Sequence, residues 1–194
     1  MLVERMDIMQ NKRDKIMDAA LELFAERGFN ATTVPTIALN AEVGAGTIYR
    51  YFEHKEALVN AVFQRCVESL SHHLQENYPS DSGIREQFRH LFFKVVGFAR
   101  DHVYAFSFLE SQSNAHYLDS KSIDVFQEMM DFFYQFLEEG KKVNVIRSVP
   151  TEALFAIVYG AYVEIAKLLR KKILPESDQL MNSLEACCWD AVRV

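Results

Sequence analysis

The chain has 194 residues, 49% apolar and 25% charged, with only 7 Gly and 4 Pro and a formal net charge of −6. That is an ordinary globular make-up, and so few helix breakers point to long helices joined by short loops. The longest uncharged apolar run, Ala153 to Val163, falls short of the ~18 residues a spanning helix needs, and the first ten residues lack the apolar core of a signal peptide. Three cysteines without metal-ligand spacing fit a reducing compartment, so the expectation is an all-α cytoplasmic protein that enters no membrane.

From Asn11 to Arg27 the apolar Ile16, Ala20, Leu23 and Phe24 fall on one helical face, and Gly28 supplies a left-handed stop. Asp14, Asp18, Glu22 and Glu26 recur every four residues on another face. With no His interleaved they read as a solvated ladder rather than a metal site. Either Thr32 or Thr33 can cap a short helix over 34–41, with Pro35 tolerated in its first turn. Gly44 and Gly46 mark a sharp turn into a second short helix over 45–52. Its Ile48 and Phe52 face inward, which turns Thr47, Tyr49, Arg50 and Tyr51 largely outward.

A long helix over 55–78 carries the inward stripe Leu58, Val62, Cys66, Leu70 and Leu74, and Tyr78 to Gly83 is the clearest linker. The next helix, 84–100, buries Phe88, Leu91, Phe92, Val95 and Val96. A short apolar helix covers 104–112, and 113–120 reads as a loop. Ile123, Phe126, Met130, Phe133 and Leu137 define another helix, ended by Gly140. The helix from Pro150 to about Lys172 is apolar on nearly all sides and must be covered on nearly all sides. In the last helix, about 177–192, Leu180, Leu184, Cys187 and Ala191 form the inward stripe and leave Met181, Cys188 and Trp189, with the apolar face of 153–169, for a dimer interface.

A long helix followed by two short ones, with a Gly-containing turn before the third, outlines a helix-turn-helix. Hydroxyls of Thr47, Tyr49 and Tyr51 can bond phosphate oxygens, and Arg50 can fork onto a guanine edge or grip a phosphate. Lys55 opens the following helix, where free backbone N–H groups also attract phosphate. Bulk charge does not reveal this: residues 1–60 hold 7 Lys+Arg against 9 Asp+Glu, and the remainder 14 against 18, so neither half is basic.

The stretch Thr33-Val34-Pro35-Thr36-Ile37-Ala38, continued by Val43-Gly44-Ala45-Gly46-Thr47-Ile48-Tyr49-Arg50-Tyr51-Phe52 and Lys55-Glu56-Ala57-Leu58, resembles the DNA-binding domain of the TetR family. The preceding Ile16-Met17-Asp18-Ala19-Ala20-Leu21-Glu22-Leu23-Phe24 shares the likeness. The resemblance implies a helix-turn-helix domain over 10–56 and a helical ligand-binding and dimerisation domain over 57–194. It implies a homodimer through the last two helices, about 150–172 and 177–192, on a double-stranded DNA operator of inverted-repeat form. Thr33, Thr47, Tyr49, Tyr51 and Lys55 match positions that typically touch phosphates, and Arg50 lies where base-reading side chains are common. His54 has two readings, a phosphate contact or a helix terminator. Gly44 and Ala45 depart from the family pattern of a Ser-like cap followed by a polar or basic residue. Base readout therefore leans on Arg50, methyl contacts and DNA shape.

Phe92, Phe93, Phe106, Phe126, Phe133, Tyr159 and Tyr162 lie on helices expected to meet in the body, where they can line a pocket for a small hydrophobic or aromatic inducer. Tyr hydroxyls or His116 would supply polar anchors. No nucleophile–base pair, Glu-x-x-His pairing, phosphate loop or metal spacing marks an enzyme, so neither catalysis nor a cofactor is expected. The competing readings are a helical-bundle enzyme or carrier and a scaffold that has lost DNA affinity. Substituting Arg50 or Tyr49 separates them from a repressor, because only a repressor has DNA binding to lose.

Overall fold

The computed structural model describes residues 2–112 and 115–194, with side chains from Lys12 onward. Ser113 and Asn114 of the expected 113–120 loop lie outside the described residues, as do the side chains of the first eleven. Nine helices and no strand occur among the described residues: α1 (Leu2–Ala31), α2 (Val34–Asn40), α3 (Ala45–Ile48), α4 (Lys55–Gln75), α5 (Ile84–Asp101), α6 (Val103–Gln112), α7 (Ser120–Lys142), α8 (Thr151–Arg170) and α9 (Asp178–Val192). None is long and apolar enough to cross a membrane among the described residues. The chain forms two compact units, one of Met1–Glu68 with Tyr104–Phe126, the other of Ser69–Val103 with Gln127–Val194.

In the first unit α1 begins upstream of the expected start and is broken at Gly28, whose φ of 75° and ψ of 169° no helix accommodates. The break leaves carbonyls to satisfy, and the buried Thr32 hydroxyl shares its one proton between Gly28 O at 2.8 Å and Leu23 O at 3.1 Å. Thr33 is then the cap of α2, accepting from Thr36 N–H at 3.3 Å. The expected inward face of α1 is buried, and Phe24 stacks on Phe108 of α6 with ring centroids 6.0 Å apart. Phe63 of α4 meets Phe108 and Phe126, so one aromatic cluster joins α1, α4, α6 and α7. The carboxylate ladder is only partly solvated: Asp18 pairs with Arg65 at 2.7 Å, and the Tyr104 hydroxyl donates to Glu26 at 3.3 Å.

α3 is shorter than the expected 45–52. Gly44 offers no side chain to cap it, and after Ile48 the chain continues in turns, with Phe52 N–H bonded to Ile48 O at 2.9 Å. α4 buries its expected stripe and a second one as well, Val59, Phe63 and Val67. Burial pushes the Cys66 thiol up to about 12, so it packs as an apolar group and does not react. Ile123, expected inside α7, is 54% exposed; Ser122 takes the inward position because Asn60 and Gln64 bond its hydroxyl.

In the second unit α5 buries Phe88, Leu91, Phe92, Val95 and Val96 as expected, and Phe88 and Phe92 meet Trp189 of α9 and Tyr162 of α8. α9 is turned from its expected face. Met181, Glu185, Cys188 and Val192 point inward, while Leu180, Leu184 and Ala191 are only partly covered and Cys187 is exposed. The cause is Glu185, which Arg85 of α5 draws inside through a two-pronged ion pair, with Arg89 also at 3.4 Å. One residue of helix turns the face by ~100°.

Gly140 does not end α7. The helix runs to Lys142 and reverses at Asn144, whose φ is 56°, while Val145 and Ile146 N–H both return to Gly140 O. The buried Ile146 side chain folds onto Gly140, where an added Cβ would stand 2.5 Å from its Cδ1 and 2.7 Å from its Cγ1. Gly140→Ala is therefore expected to lower stability by ~1–2 kcal/mol in urea unfolding, overpacking outweighing the helix preference of Ala. In an Ile146→Ala background, which leaves only the residue's own Cβ 3.2 Å from the added atom, most of that cost should disappear. A loss undiminished in that background would show that Ile146 is not the obstacle.

Candidate functional site

The candidate reading surface is assembled by three short stretches of the first unit. Thr33 caps α2 and shares its hydroxyl with Thr36 at 2.8 Å. α3 and the turn after it carry Thr47, partly exposed, Tyr49, 56% exposed, and Arg50, exposed, its guanidinium without an ion pair or hydrogen bond to any described residue. Tyr51 is half-buried. Ile48 and Phe52 anchor this stretch from beneath, and the Arg13 guanidinium lies 5.4 Å from the Phe52 ring centre. Held this way, Thr47, Tyr49 and Arg50 offer two hydroxyls and a guanidinium fork to a duplex.

His54 closes the surface and also ends a helix. Its Nδ1 accepts from Ala57 N–H at 3.0 Å, which caps α4 and, in the neutral ring, leaves the proton on Nε2 as a donor. Lys55 is placed differently from the other candidates. Its ammonium donates to Phe29 O at 2.8 Å and Thr32 O at 3.0 Å and lies 3.9 Å from the Phe29 ring centre, so it fastens the end of α1 to the start of α4. Sequence reading does not single out Leu39, which stands 78% exposed on α2 as an apolar group available to a base methyl. The signal was there: Val34, Ile37, Ala38 and Ala41 define the buried face of that helix and leave Leu39 off it.

The second unit holds a small apolar cavity of about 30 Å³ between α5, α7 and α8. Three sequence candidates, Phe133, Tyr159 and Tyr162, line it with Phe88, Phe136 and Phe155. No charged side chain lines it, and burial holds the Tyr162 hydroxyl well above its ordinary pKa, so that group stays neutral. The volume is far below the ~300–1,000 Å³ of a site filled by a drug-sized ligand, so binding one requires the rings to part. Phe92 lies behind Tyr162, and Phe93 sits half-buried 4.8 Å from the Arg89 guanidinium carbon. Phe106 and Phe126 belong to the first unit, as does His116, which is exposed beside Tyr117.

On α8 the residues Ala153, Ala156, Ile157, Gly160 and Glu164 recur at three- and four-residue spacing and are all exposed, Ile157 by 51%. With the partly covered Leu180, Leu184 and Ala191 of α9, they leave each of the last two helices a largely apolar outward face.

Residues 16–62 match the family of bacterial regulatory proteins of the tetR family, and residues 63–194 match the tetracyclin repressor-like C-terminal domain. An HTH-type transcriptional regulator of Bacillus subtilis (strain 168), YhgD, itself uncharacterised, is 24% identical over 80% of this chain and 82% of its own. A TetR family transcription regulator from Marinobacter aquaeolei VT8 superposes with a TM-score of 0.86 at 20% identity, covering 95% of this chain and 96% of that one. A TetR-family regulator from Haemophilus influenzae RD superposes with a TM-score of 0.76 at 20% identity, covering 95% and 98%.

Proposed function

Since the chain belongs to the TetR family of bacterial regulatory proteins, whose members are transcriptional regulators and not enzymes, we propose that it is a cytoplasmic repressor released from its operator by a small apolar ligand. It binds an inverted-repeat site as a homodimer. The observation that carries this reading is Arg50, exposed and unpaired among the described residues, beside Tyr49 and Thr47 on a stretch anchored by two buried residues. A guanidinium with no ion pair among the described residues is free for a guanine edge or a phosphate. Thr33, Thr47, Tyr49, Tyr51 and His54 contact phosphates around it, while Lys55 serves by holding the frame.

The outward faces of α8 and α9 pair two chains, which sets two reading heads ~34–36 Å apart, or somewhat more, and demands a two-fold-symmetric site. The ligand enters the α5–α7–α8 cavity. It is uncharged at its buried end, because nothing in the lining could neutralise a charge. Repression weakens only as far as that ligand prefers the DNA-free form.

The test is selection from random duplexes at about 0.1 M ionic strength. The wild type should enrich an inverted repeat, and Arg50→Ala should bind that repeat ~10–100-fold more weakly, a loss of ~1–3 kcal/mol, with dimerisation intact. A folded dimer that enriches no duplex would overturn the proposal.

A further inference from the structure

Asn60 is an amide in a stretch of α4 that is otherwise apolar core, between Leu58 and Val59 on one side and Val62 and Phe63 on the other. It is only 4% exposed, yet every hydrogen-bonding position it has is filled. Its Nδ2 donates to Glu56 O of its own helix and to Tyr117 O, both at 2.8 Å. Its Oδ1 accepts from Asp119 N–H at 2.9 Å and from the Ser122 hydroxyl at 2.7 Å. An amide side chain has two N–H donors and two lone pairs, so three of its four bonds hold the segment leading into α7. Gln64, one turn along, adds a bond to the same Ser122 hydroxyl at 2.9 Å, and Asp119 caps α7 by accepting from Ser122 N–H at 2.8 Å.

That segment also grips the far side of the helix-turn-helix. The Tyr117 ring stacks on Phe29 with centroids 4.1 Å apart and 27° between planes, while Lys55 Nζ lies 3.9 Å from the same Phe29 centroid. Two groups that close to one ring centre cannot share a face, so Phe29 is held between them. Lys55 bonds Thr32 O, and the next residue, Thr33, is the cap of α2. A chain of contacts therefore runs from Asn60 through Tyr117, Phe29 and Lys55 to the start of α2, which packs on α3.

We propose that Asn60 and Tyr117 are positioning residues for DNA binding: they clamp the segment before α7 onto α1 and α4 and thereby set the pose of α2 and α3. Neither residue lies on the reading surface. A fully satisfied buried amide is costly to disturb and tolerates one geometry, which suits it to fixing a pose rather than adding affinity. The inference rests on the DNA-binding reading above, and it assigns the reading head a part that lies some sixty residues further along the chain.

The test uses the full chain and four variants. Asn60→Leu removes all four bonds at similar volume, and Tyr117→Ala removes the stack. Ser122→Ala removes one bond and serves if Asn60→Leu does not fold. Tyr117→Phe keeps both the ring and the backbone carbonyl. Each is compared at a temperature well below its own Tm, by affinity for the wild-type-enriched duplex and by amide hydrogen exchange over residues 33–52 against that over α1. Asn60→Leu and Tyr117→Ala should bind at least about tenfold more weakly, with exchange raised over 33–52 but not over the part of α1 before Gly28. Ser122→Ala should move the same way by a smaller factor, and Tyr117→Phe should match the wild type. Unchanged affinity and unchanged regional exchange, however far Tm falls, would reduce the clamp to packing and overturn the inference. If the wild type itself enriches no duplex, the DNA-binding reading fails by that result alone, and the exchange comparison still decides whether the clamp holds α2 and α3.

Discussion

Ile157→Arg should yield a folded monomer by sedimentation at micromolar concentration and weaken binding to an inverted repeat at least about a hundredfold. Ile157 is half in solvent on a face it shares with Ala153, Ala156, Gly160 and, two turns on, Glu164, and a Cβ added to Gly160 would meet nothing within 4 Å. Small residues at that spacing let a second helix come close, and Ile157 then supplies the apolar bulk. Across a two-fold axis the same patch meets itself, so one substitution places two like charges in one desolvated contact. Loss of the second half-site then removes the gain of tethering, typically ~10²–10⁴ in affinity. Unchanged sedimentation with unchanged binding would place the interface elsewhere. A monomer that still binds an inverted repeat at wild-type strength would remove the two-headed mechanism.

What the amino-acid pattern disclosed and what it hid divide along physical lines. Helices were legible because apolar residues recur at helical spacing, and Ile48 and Phe52 were legible as anchors of α3 for the same reason. The end of α7 was not. Gly140 looks like a stop because glycine often is one, but its role depends on Ile146 folding back onto it, a contact made after the chain has turned. Ile123 and Ser122 exchange places because hydrogen bonds to Asn60 outweigh the apolar count along one helix. Lys55 reads from sequence as a free cation at a helix start, and only tertiary structure supplies the two carbonyls that occupy it. The aromatic residues announced buried surface without saying which of them share a cavity. Phe133, Tyr159 and Tyr162 do, whereas Phe106 and Phe126 pack in the other unit. Arg50 and Tyr49 stood out early because their exposure follows from local helical geometry alone.

The turned face of α9 leads to a second prediction: Arg85→Ala should destabilise the protein more than Glu185→Gln, although both break the same ion pair. The Glu185 side chain is 1% exposed, Arg85 37% and Arg89 49%. Removing the carboxylate's charge leaves two guanidiniums that can turn to water, a loss of ~1 kcal/mol for weakened hydrogen bonds. Removing Arg85 leaves a buried carboxylate with only the longer Arg89 contact and strips the guanidinium from its place 5.2 Å from the Trp189 ring. That cost should be ~3 kcal/mol, the lower end for breaking a buried pair because Arg89 remains. At ~2–4 °C per kcal/mol for a chain of this size, Arg85→Ala should lower Tm by ~6–12 °C and Glu185→Gln by a few degrees. The pair Arg85→Ala with Glu185→Leu should recover most of the loss, since no buried charge is then left unpaired. The pair also joins α5, which supplies Phe88 and Leu91 to the cavity, to α9, which presents Leu180 and Leu184 outward. Equal losses for the two single variants would mean that the carboxylate is not buried in solution, and the inward turn of Met181 and Cys188 would then need another cause.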